Sequence, residues 1–146
     1  MTELLDQTAA DLAATADRLL GELDRVLAGA TGLRGECRPA LDVLEKAATL
    51  EVVMDLPGIP AEALRVAIRR NAIVIVGAKL PRPPSAPARF HLAERSFGRF
   101  ARVVRVAGAF DASRARAVAA AGVLRITLPR VTERRGQVFD VSVDRG

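Results

Sequence analysis

The apolar residues of this 146-residue chain change their spacing at about residue 40, and this change constrains the fold more than any other feature. Before that point they recur every three or four residues, which is the period of an α-helix. After it they alternate with polar residues, which is the period of a half-buried β-strand. A segment containing Gly32, Gly35 and Pro39 separates the two patterns and predicts a linker. The chain is therefore predicted to combine one helix with a larger β region.

The helical segment occupies about the first 30 residues and carries a single apolar stripe. An isolated helix of this length is marginal in water, so the stripe must be buried against something. Two interpretations remain open: an arm that associates with other chains, or a helix folded back on its own domain. The spacing of the stripe alternates between four and three residues, as in a heptad repeat. The stripe consists of Leu5, Ala9, Leu12, Ala16, Leu19, Leu23, Val26 and Ala30.

The region beyond residue 40 predicts several short β-strands. The segment Leu50–Leu56 alternates strictly and stops at Pro57 and Gly58. The apolar run Ala72–Val76 predicts a strand that is buried on both faces. Many short strands at near-regular spacing predict an all-β fold, an antiparallel β-sandwich. The predicted strands are Leu41–Leu44, Leu50–Leu56, Leu64–Arg69, Ala72–Val76, Phe90–Arg95, Arg99–Val106, Val123–Leu128 and Phe139–Val143.

Residues 81–88 do not fit a simple meander, because they contain four prolines. Proline cannot donate to a strand ladder, so this segment cannot form a central strand. A long, proline-stiffened excursion between two strands is uncommon in a compact sandwich. It would let the predicted strand Phe90–Arg95 reach a different partner, including a neighbouring subunit.

The net charge of +5 is divided unevenly along the chain. Residues 1–62 hold twelve acids and five bases, whereas residues 63–146 hold seventeen bases and five acids. This asymmetry is compatible with a nucleic-acid face or with attraction between chains. Twenty of the bases are arginine, which suits paired contacts and favours the second interpretation. We therefore expect the acidic arm to dock on the basic sandwich of a neighbouring chain.

The sequence offers few groups for catalysis or metal binding. It has one histidine, His91, one cysteine, Cys37, and neither a glycine-rich phosphate loop nor a nucleophile elbow. We expect no catalytic residue, no metal site and no cofactor, hence no enzyme. The single cysteine and the acidic amino terminus predict a cytoplasmic protein. No apolar run is long enough for a membrane span, and the scarcity of aromatic residues argues against nucleic-acid binding.

Three motifs occur in order along the β region. They are Val53–Gly58, which reads VMDLPG, Glu94–Arg102, which reads ERSFGRFAR, and Ala117–Leu124, which reads AVAAAGVL. Taken together they resemble the small heat-shock proteins of the bacterial type, which are members of the α-crystallin-domain family. The resemblance covers residues 40–130. The third motif departs from the family pattern, because Ala121 stands where an asparagine is usual.

The resemblance implies an immunoglobulin-like β-sandwich over residues 39–130. An amino-terminal helical arm and linker would occupy residues 1–38, and a short carboxy-terminal extension would occupy residues 131–146. The implied function is that of an ATP-independent holdase, a chaperone that binds unfolding client proteins and prevents their aggregation under stress. The alternative that stays open is a co-chaperone or adaptor module of related fold with specific partners. The arm residues implied in client binding or oligomerisation are Leu5, Leu12, Leu19, Leu23 and Val26.

The resemblance also implies a homo-oligomer built from dimers. In bacterial and plant members, the loop between two strands crosses to the partner and adds a strand to the edge of its sheet. Residues 81–95 occupy that position here. The residues implied in this strand exchange are Phe90, His91, Leu92, Ala93 and Arg95.

Two further contacts follow from the resemblance. Arg102 matches the structural arginine of the family, and we expect it to pair with an acid within or between subunits; the alternative is an exposed arginine. Val141 and Val143 resemble the carboxy-terminal anchor that fills a groove of another dimer; the alternative is a disordered tail. The walls of that groove are expected to be Val66, Ile68 and Val118.

Overall fold

The amino-terminal segment forms one long helix, and the remainder of the described chain forms two β-sheets. The computed structural model describes residues 2–27, 37–131 and 138–146, with side chains from residue 9 onward. The helix, α1, spans Thr2–Val26. It ends before the predicted boundary at about residue 30. Ala30 and the predicted linker glycines lie outside the described residues.

The first sheet contains five strands of the described chain. These are β1 (Leu41–Glu45), β2 (Thr49–Asp55), β6 (Arg116–Ala120), β7 (Val123–Pro129) and β9 (Val143–Arg145). Their order across the sheet is β1-β2-β7-β6-β9. Neighbouring strands are antiparallel except β6 and β9, which are parallel. Strand β1 therefore forms one edge of this sheet.

The second sheet contains four strands of the described chain. These are β3 (Leu64–Arg69), β4 (Ala72–Lys79), β5 (Gly98–Arg105) and β8 (Val138–Val141). Their order is β5-β4-β3-β8, and all of them are antiparallel. The two sheets pack face to face, so the predicted β-sandwich is confirmed.

The core lies between the sheets and is built from alternate residues of each strand. Gly77 of β4 leaves room for the ring of Phe100, because a Cβ at this position would lie 2.4 Å from the Phe100 Cζ atom. The two residues face each other across the β4–β5 pair. The largest fully buried core residues include Val52, Met54, Leu64, Val66, Ile73, Ile75, Leu124, Ile126 and Leu128.

Two predicted strands differ from the structure, and one strand of the structure was not predicted. Phe90–Arg95 forms no strand within the single chain. Arg116–Ala120 forms β6 although its alanine-rich sequence has little β-branched character. Phe139–Val143 is not one strand, because the pairing changes at Ser142. The segment before Ser142 joins the four-stranded sheet and the segment after it joins the five-stranded sheet, so the end of the chain crosses between the two.

Candidate functional site

Helix α1 packs against the outer face of the four-stranded sheet. Its side chains Leu12, Leu19 and Leu23 are almost completely buried, in one apolar cluster with residues of β3 and β4. The sequence left two arrangements open, an arm that associates with other chains and a helix folded back on its own domain. The burial of these three leucines corresponds to the second. Val26 is exposed, and the side chain of Leu5 lies outside the described part of the chain. The sheet residues beneath α1, called the covered face below, are Ala67, Ala72, Val74 and Val76.

Ion pairs surround this apolar contact. The carboxylates lie on α1 and the guanidinium groups lie on β3 and β5, so the acidic helix does dock on the basic sandwich. The docking takes place within one chain, whereas the charge asymmetry was expected to act between chains. All of these pairs are partly exposed to solvent. The pairs are Asp11–Arg69 at 2.9 Å, Asp24–Arg99 at 3.0 Å and Glu22–Arg65 at 4.0 Å.

Arg18 makes the reverse contact, with the base on α1 and the acid on the sheet. Its guanidinium donates to both carboxylate oxygens of Asp140 on β8, at 2.8 and 3.1 Å. It also donates to Glu22 one helical turn away, at 2.9 Å. The hydrogen bond to Asp140 is the main reason that the pKa of Arg18 is raised. Arg18 therefore ties the amino-terminal helix to β8, the next-to-last strand of the chain.

The residues implied in strand exchange lie in an exposed loop between β4 and β5. Phe90 and Leu92 are 75% and 74% exposed, and His91, Ala93 and Arg95 are exposed as well. These two side chains lie two residues apart and give the loop apolar surface that a partner strand would cover. A strand that forms only on a partner cannot form in a single chain. The exchange therefore stays a prediction.

Cation–π contacts anchor the end of this loop. The ring of Phe97 lies 5.1 Å from the guanidinium of Arg95 and 5.8 Å from the ammonium of Lys79. Lys79 is the last residue of β4, and Phe97 directly precedes β5. The ring therefore holds the two ends of the loop together while the segment around Phe90 remains free to reach outward.

The carboxy-terminal valines lie beside the residues expected to form the walls of the anchor groove. Val141 pairs with Val66, and Asp144 pairs with Val118. Both Val141 and Val143 pack against the core cluster. Ile68 pairs with Phe139 along the same edge of β3. In the structure, the carboxy-terminal segment of the same chain fills this groove. The resemblance implied that the segment would come from another dimer.

Arg102 is half-buried on β5 and contacts the backbone that precedes β1. Its Nη1 donates a hydrogen bond to the carbonyl oxygen of Pro39, at 2.6 Å. Within the described residues Arg102 forms no ion pair with a carboxylate. The expected pair with an acid of the same subunit is therefore not found in this part of the chain. A pair with an acid of another subunit stays a prediction.

Glu51 is a buried acid that sequence reasoning did not single out. Its carboxylate contacts the ammonium of Lys46 at 2.8 Å and also the guanidinium of Arg125. Hydrogen bonds from these two bases lower the pKa of Glu51. The strand alternation places Glu51 on the outward face, but the sequence alone does not show that two long side chains cover it.

Cys37 lies against the core rather than on an open linker. It is half-buried, and its thiol donates a long hydrogen bond to the carbonyl oxygen of Gly98, at 3.6 Å. Burial raises the pKa of the Cys37 thiol. A higher pKa leaves less of the reactive thiolate at neutral pH. The structure therefore does not favour Cys37 as a fast-reacting thiol.

Metal and membrane features are absent from the part of the chain that the structure describes. No three residues among its histidines, cysteines, aspartates and glutamates lie close enough together to hold a metal ion. No helix in residues 2–27, 37–131 and 138–146 is long and apolar enough to cross a bilayer.

Comparison with known proteins identifies the family. The sequence profile of the Hsp20/alpha crystallin family matches residues 42–144, which is well over half of the chain. The chain belongs to this family. The matched range includes the three motifs and nearly all of both sheets, and it extends into the carboxy-terminal strands. Small heat-shock proteins are chaperones and not enzymes, which agrees with the motif analysis.

Individual relatives support the same assignment. The 18 kDa heat shock protein of Streptomyces albus G is 32% identical over 123 residues, covering 80% of this chain and 86% of the relative. The solved structure of heat shock protein 16.0 from Schizosaccharomyces pombe has a TM-score of 0.63 at 30% identity, covering 70% of this chain and 96% of that one. A small heat-shock protein from Xylella fastidiosa, described as having a distinct high-order structure, has a TM-score of 0.58 at 29% identity and covers 69% and 95%.

Proposed function

We propose that this chain is an ATP-independent holdase that binds unfolding client proteins and keeps them from aggregating under stress. The family is a chaperone family, and holdase activity is the more specific function assigned here. We place the protein in the cytoplasm, with no nucleic-acid partner and no cofactor. Its partners are non-native clients and further copies of the same chain.

The arrangement of α1 carries this proposal. A holdase needs apolar surface that is hidden at rest and can be exposed, because a permanently open apolar patch leads to aggregation. Removing one helix would expose two such surfaces together, the leucine stripe and the covered face. The ion pairs at the border of the contact are exposed, and pairs of this kind contribute only about 0–1 kcal/mol each. The buried leucines therefore supply most of the contact, and stress that loosens this apolar packing would release the helix.

The exposed loop and the edge of the five-stranded sheet support the dimer part of the proposal. Among the strands that the structure describes, β1 has no neighbour on one side, and it carries two exposed apolar residues, Val43 and Leu44. We assign this edge as the acceptor for the partner's Phe90–Arg95 segment. Main-chain pairing of an added strand would satisfy the open edge, and Phe90 and Leu92 would gain apolar neighbours.

Light scattering tests the proposal directly. A heat-sensitive client protein is warmed alone, with this protein, and with an equal mass of an inert globular protein, in all cases without ATP. We expect suppression of scattering at near-stoichiometric amounts of this protein, since each released helix exposes one set of apolar surfaces. The inert protein controls for crowding, whose effect on compactness is weak.

The opposite result has a clear meaning. If scattering rises equally in all three samples while circular dichroism shows that this protein remains folded, the holdase proposal is wrong. The adaptor alternative, which requires a specific partner rather than general aggregation suppression, would then replace it.

A further inference from the structure

The outer face of the four-stranded sheet has an apolar centre and a basic border. The centre extends from the covered face onto β5, where Ala101 and Val103 pair with Val76 and Val74 and so lie on the same side. Helix α1 packs mainly on β3 and β4, and Val103 remains 43% exposed. The apolar surface is therefore wider than the helix that occupies it. Its border consists of Arg65, Arg69, Arg99 and Arg105.

Helix α1 shows which kind of segment this surface accepts. It is an amphipathic helix of 25 residues with leucines on one face. Carboxylates flank those leucines and meet the border arginines, as in the pairs Asp11–Arg69 and Asp24–Arg99. The complementarity thus has two components, apolar burial at the centre and acidic groups at the rim. Neither component requires the particular sequence of α1.

The contact is also suited to exchange. The ion pairs are open to solvent, so each one is weak and screened by salt, although several together favour an acidic segment. A competing segment with the same two components would make equivalent contacts. It could also use the part of the surface at Val103 that α1 leaves exposed.

We propose that this arginine-bordered face is a client-binding site that selects acidic amphipathic helices, and that α1 is its built-in occupant. The inference rests on the proposed chaperone function and names a class of client segment for it. The partner is an unfolding protein that exposes a helical segment with an apolar stripe and acidic flanks. The same site would discriminate against basic segments, because the border arginines repel them.

The test measures direct binding of a synthetic peptide. The probe is a 25-residue amphipathic peptide of unrelated sequence, with leucines at the spacing of α1 and glutamates on the flanks. A matched peptide carries glutamines in place of the glutamates. Because α1 competes from within the same chain at high effective concentration, the host is the full chain with Leu19→Ser and Leu23→Ser. Fluorescence anisotropy reports the affinity, and circular dichroism confirms the β-sandwich of the host.

We expect the acidic peptide to bind about tenfold more tightly than the glutamine peptide, the combined effect of a few exposed ion pairs. The preference should disappear when Arg69→Gln and Arg99→Gln are added to the host. It should persist with Arg114→Gln, an exposed arginine on the turn before β6 that lies outside the border. In the unaltered chain, excess acidic peptide should increase hydrogen exchange in α1, which tests the site without any substitution.

Three results would overturn the inference. One is equal affinity of the two peptides for the host. Another is a preference that survives loss of Arg69 and Arg99. The third is binding of a peptide copy of α1 without binding of the unrelated acidic peptide, which would make the face an interface between copies of this chain. Because light scattering measures aggregation suppression independently, a holdase that fails these binding tests would retain the proposed function and lose only this site.

Discussion

The hairpin between β6 and β7 shows how one residue departs from the family pattern at an energetic cost. Ala121 and Gly122 form its two-residue turn, with φ of 53° and 77°. Positive φ at both positions is typical of a type I′ turn, which favours asparagine followed by glycine. Gly122 meets this requirement. Ala121 does not, because its Cβ is strained in the left-handed region.

Replacing Ala121 with asparagine should therefore stabilise the protein. Relief of the left-handed strain is worth about 1 kcal/mol, which corresponds to an increase in Tm of about 3 °C for a chain of this length. Thermal unfolding followed by circular dichroism measures the change. The control is Ala120→Asn, one residue earlier on β6, where asparagine is unfavourable in a strand. A Tm that does not rise in Ala121→Asn, or that rises equally in the control, would contradict the strain argument.

At the scale of elements, α1 is held by contacts from the middle of the chain and from its carboxy-terminal segment. Its leucines pack on β3 and β4, and Arg18 reaches Asp140 on β8. The docking of the amino-terminal helix therefore depends partly on the placement of the carboxy-terminal strand. Displacement of β8 from the edge of β3 would remove one contact of α1 and favour its release.

Substitution of Asp140 by asparagine should loosen α1 without unfolding the sandwich. The loss of an exposed ion pair, about 0.5–1 kcal/mol, should raise the local opening of α1 about two- to fivefold. Hydrogen exchange of the α1 amides measures this opening. The matched control is Asp144→Asn on β9, another exposed carboxylate of the same terminal segment. Exchange that is equally fast in both variants, or unchanged in both, would show that Arg18–Asp140 does not hold the helix.

At the scale of the whole molecule, the carboxy-terminal segment completes the sandwich by joining its two sheets. Val141 lies on the four-stranded sheet and Val143 on the five-stranded sheet, with Ser142 between them. The segment thus fills a groove between β3 and β6. In an oligomer, the same groove offers the same main-chain pairs to the segment of a neighbouring chain. In the single chain, the groove is filled by the chain's own carboxy-terminal segment. In the proposed assembly, it is filled by the segment of a neighbouring chain.

Truncating both valines distinguishes these arrangements. If a neighbour supplies the segment, Val141→Ala with Val143→Ala should reduce the oligomer to dimers, because each copy loses about 1–2 kcal/mol of apolar burial at each site. Light scattering coupled to size exclusion measures the mass. Val138→Ala, on the exposed face of β8, is the control and should leave the mass unchanged. An unchanged mass with lowered stability in the double variant would show that each segment closes its own sandwich.

The local features of this protein were determined by its sequence. Period-two alternation identified strands such as β2, because side-chain direction in a strand depends only on adjacent residues. A continuous apolar run identified β4. The leucine spacing identified α1 and its apolar face for the same reason. The motifs identified the family. The charge asymmetry predicted that an acidic helix docks on a basic sandwich, although the prediction placed that sandwich on a neighbouring chain and the structure places it on the same one. Sequence reasoning missed β6, since its alanines carry no strong preference for a strand.

The pairing of distant segments was decided only by the tertiary structure. Arg18 and Asp140 are 122 positions apart, and no local pattern connects them. The sequence likewise did not show that Leu19 joins an apolar cluster with Val74 of the same chain. Nor did it show that Glu51 pairs with both Lys46 and Arg125. Such contacts depend on strand register and on how one layer packs against another. Those properties are set by the free energy of the whole fold rather than by the spacing of neighbouring residues.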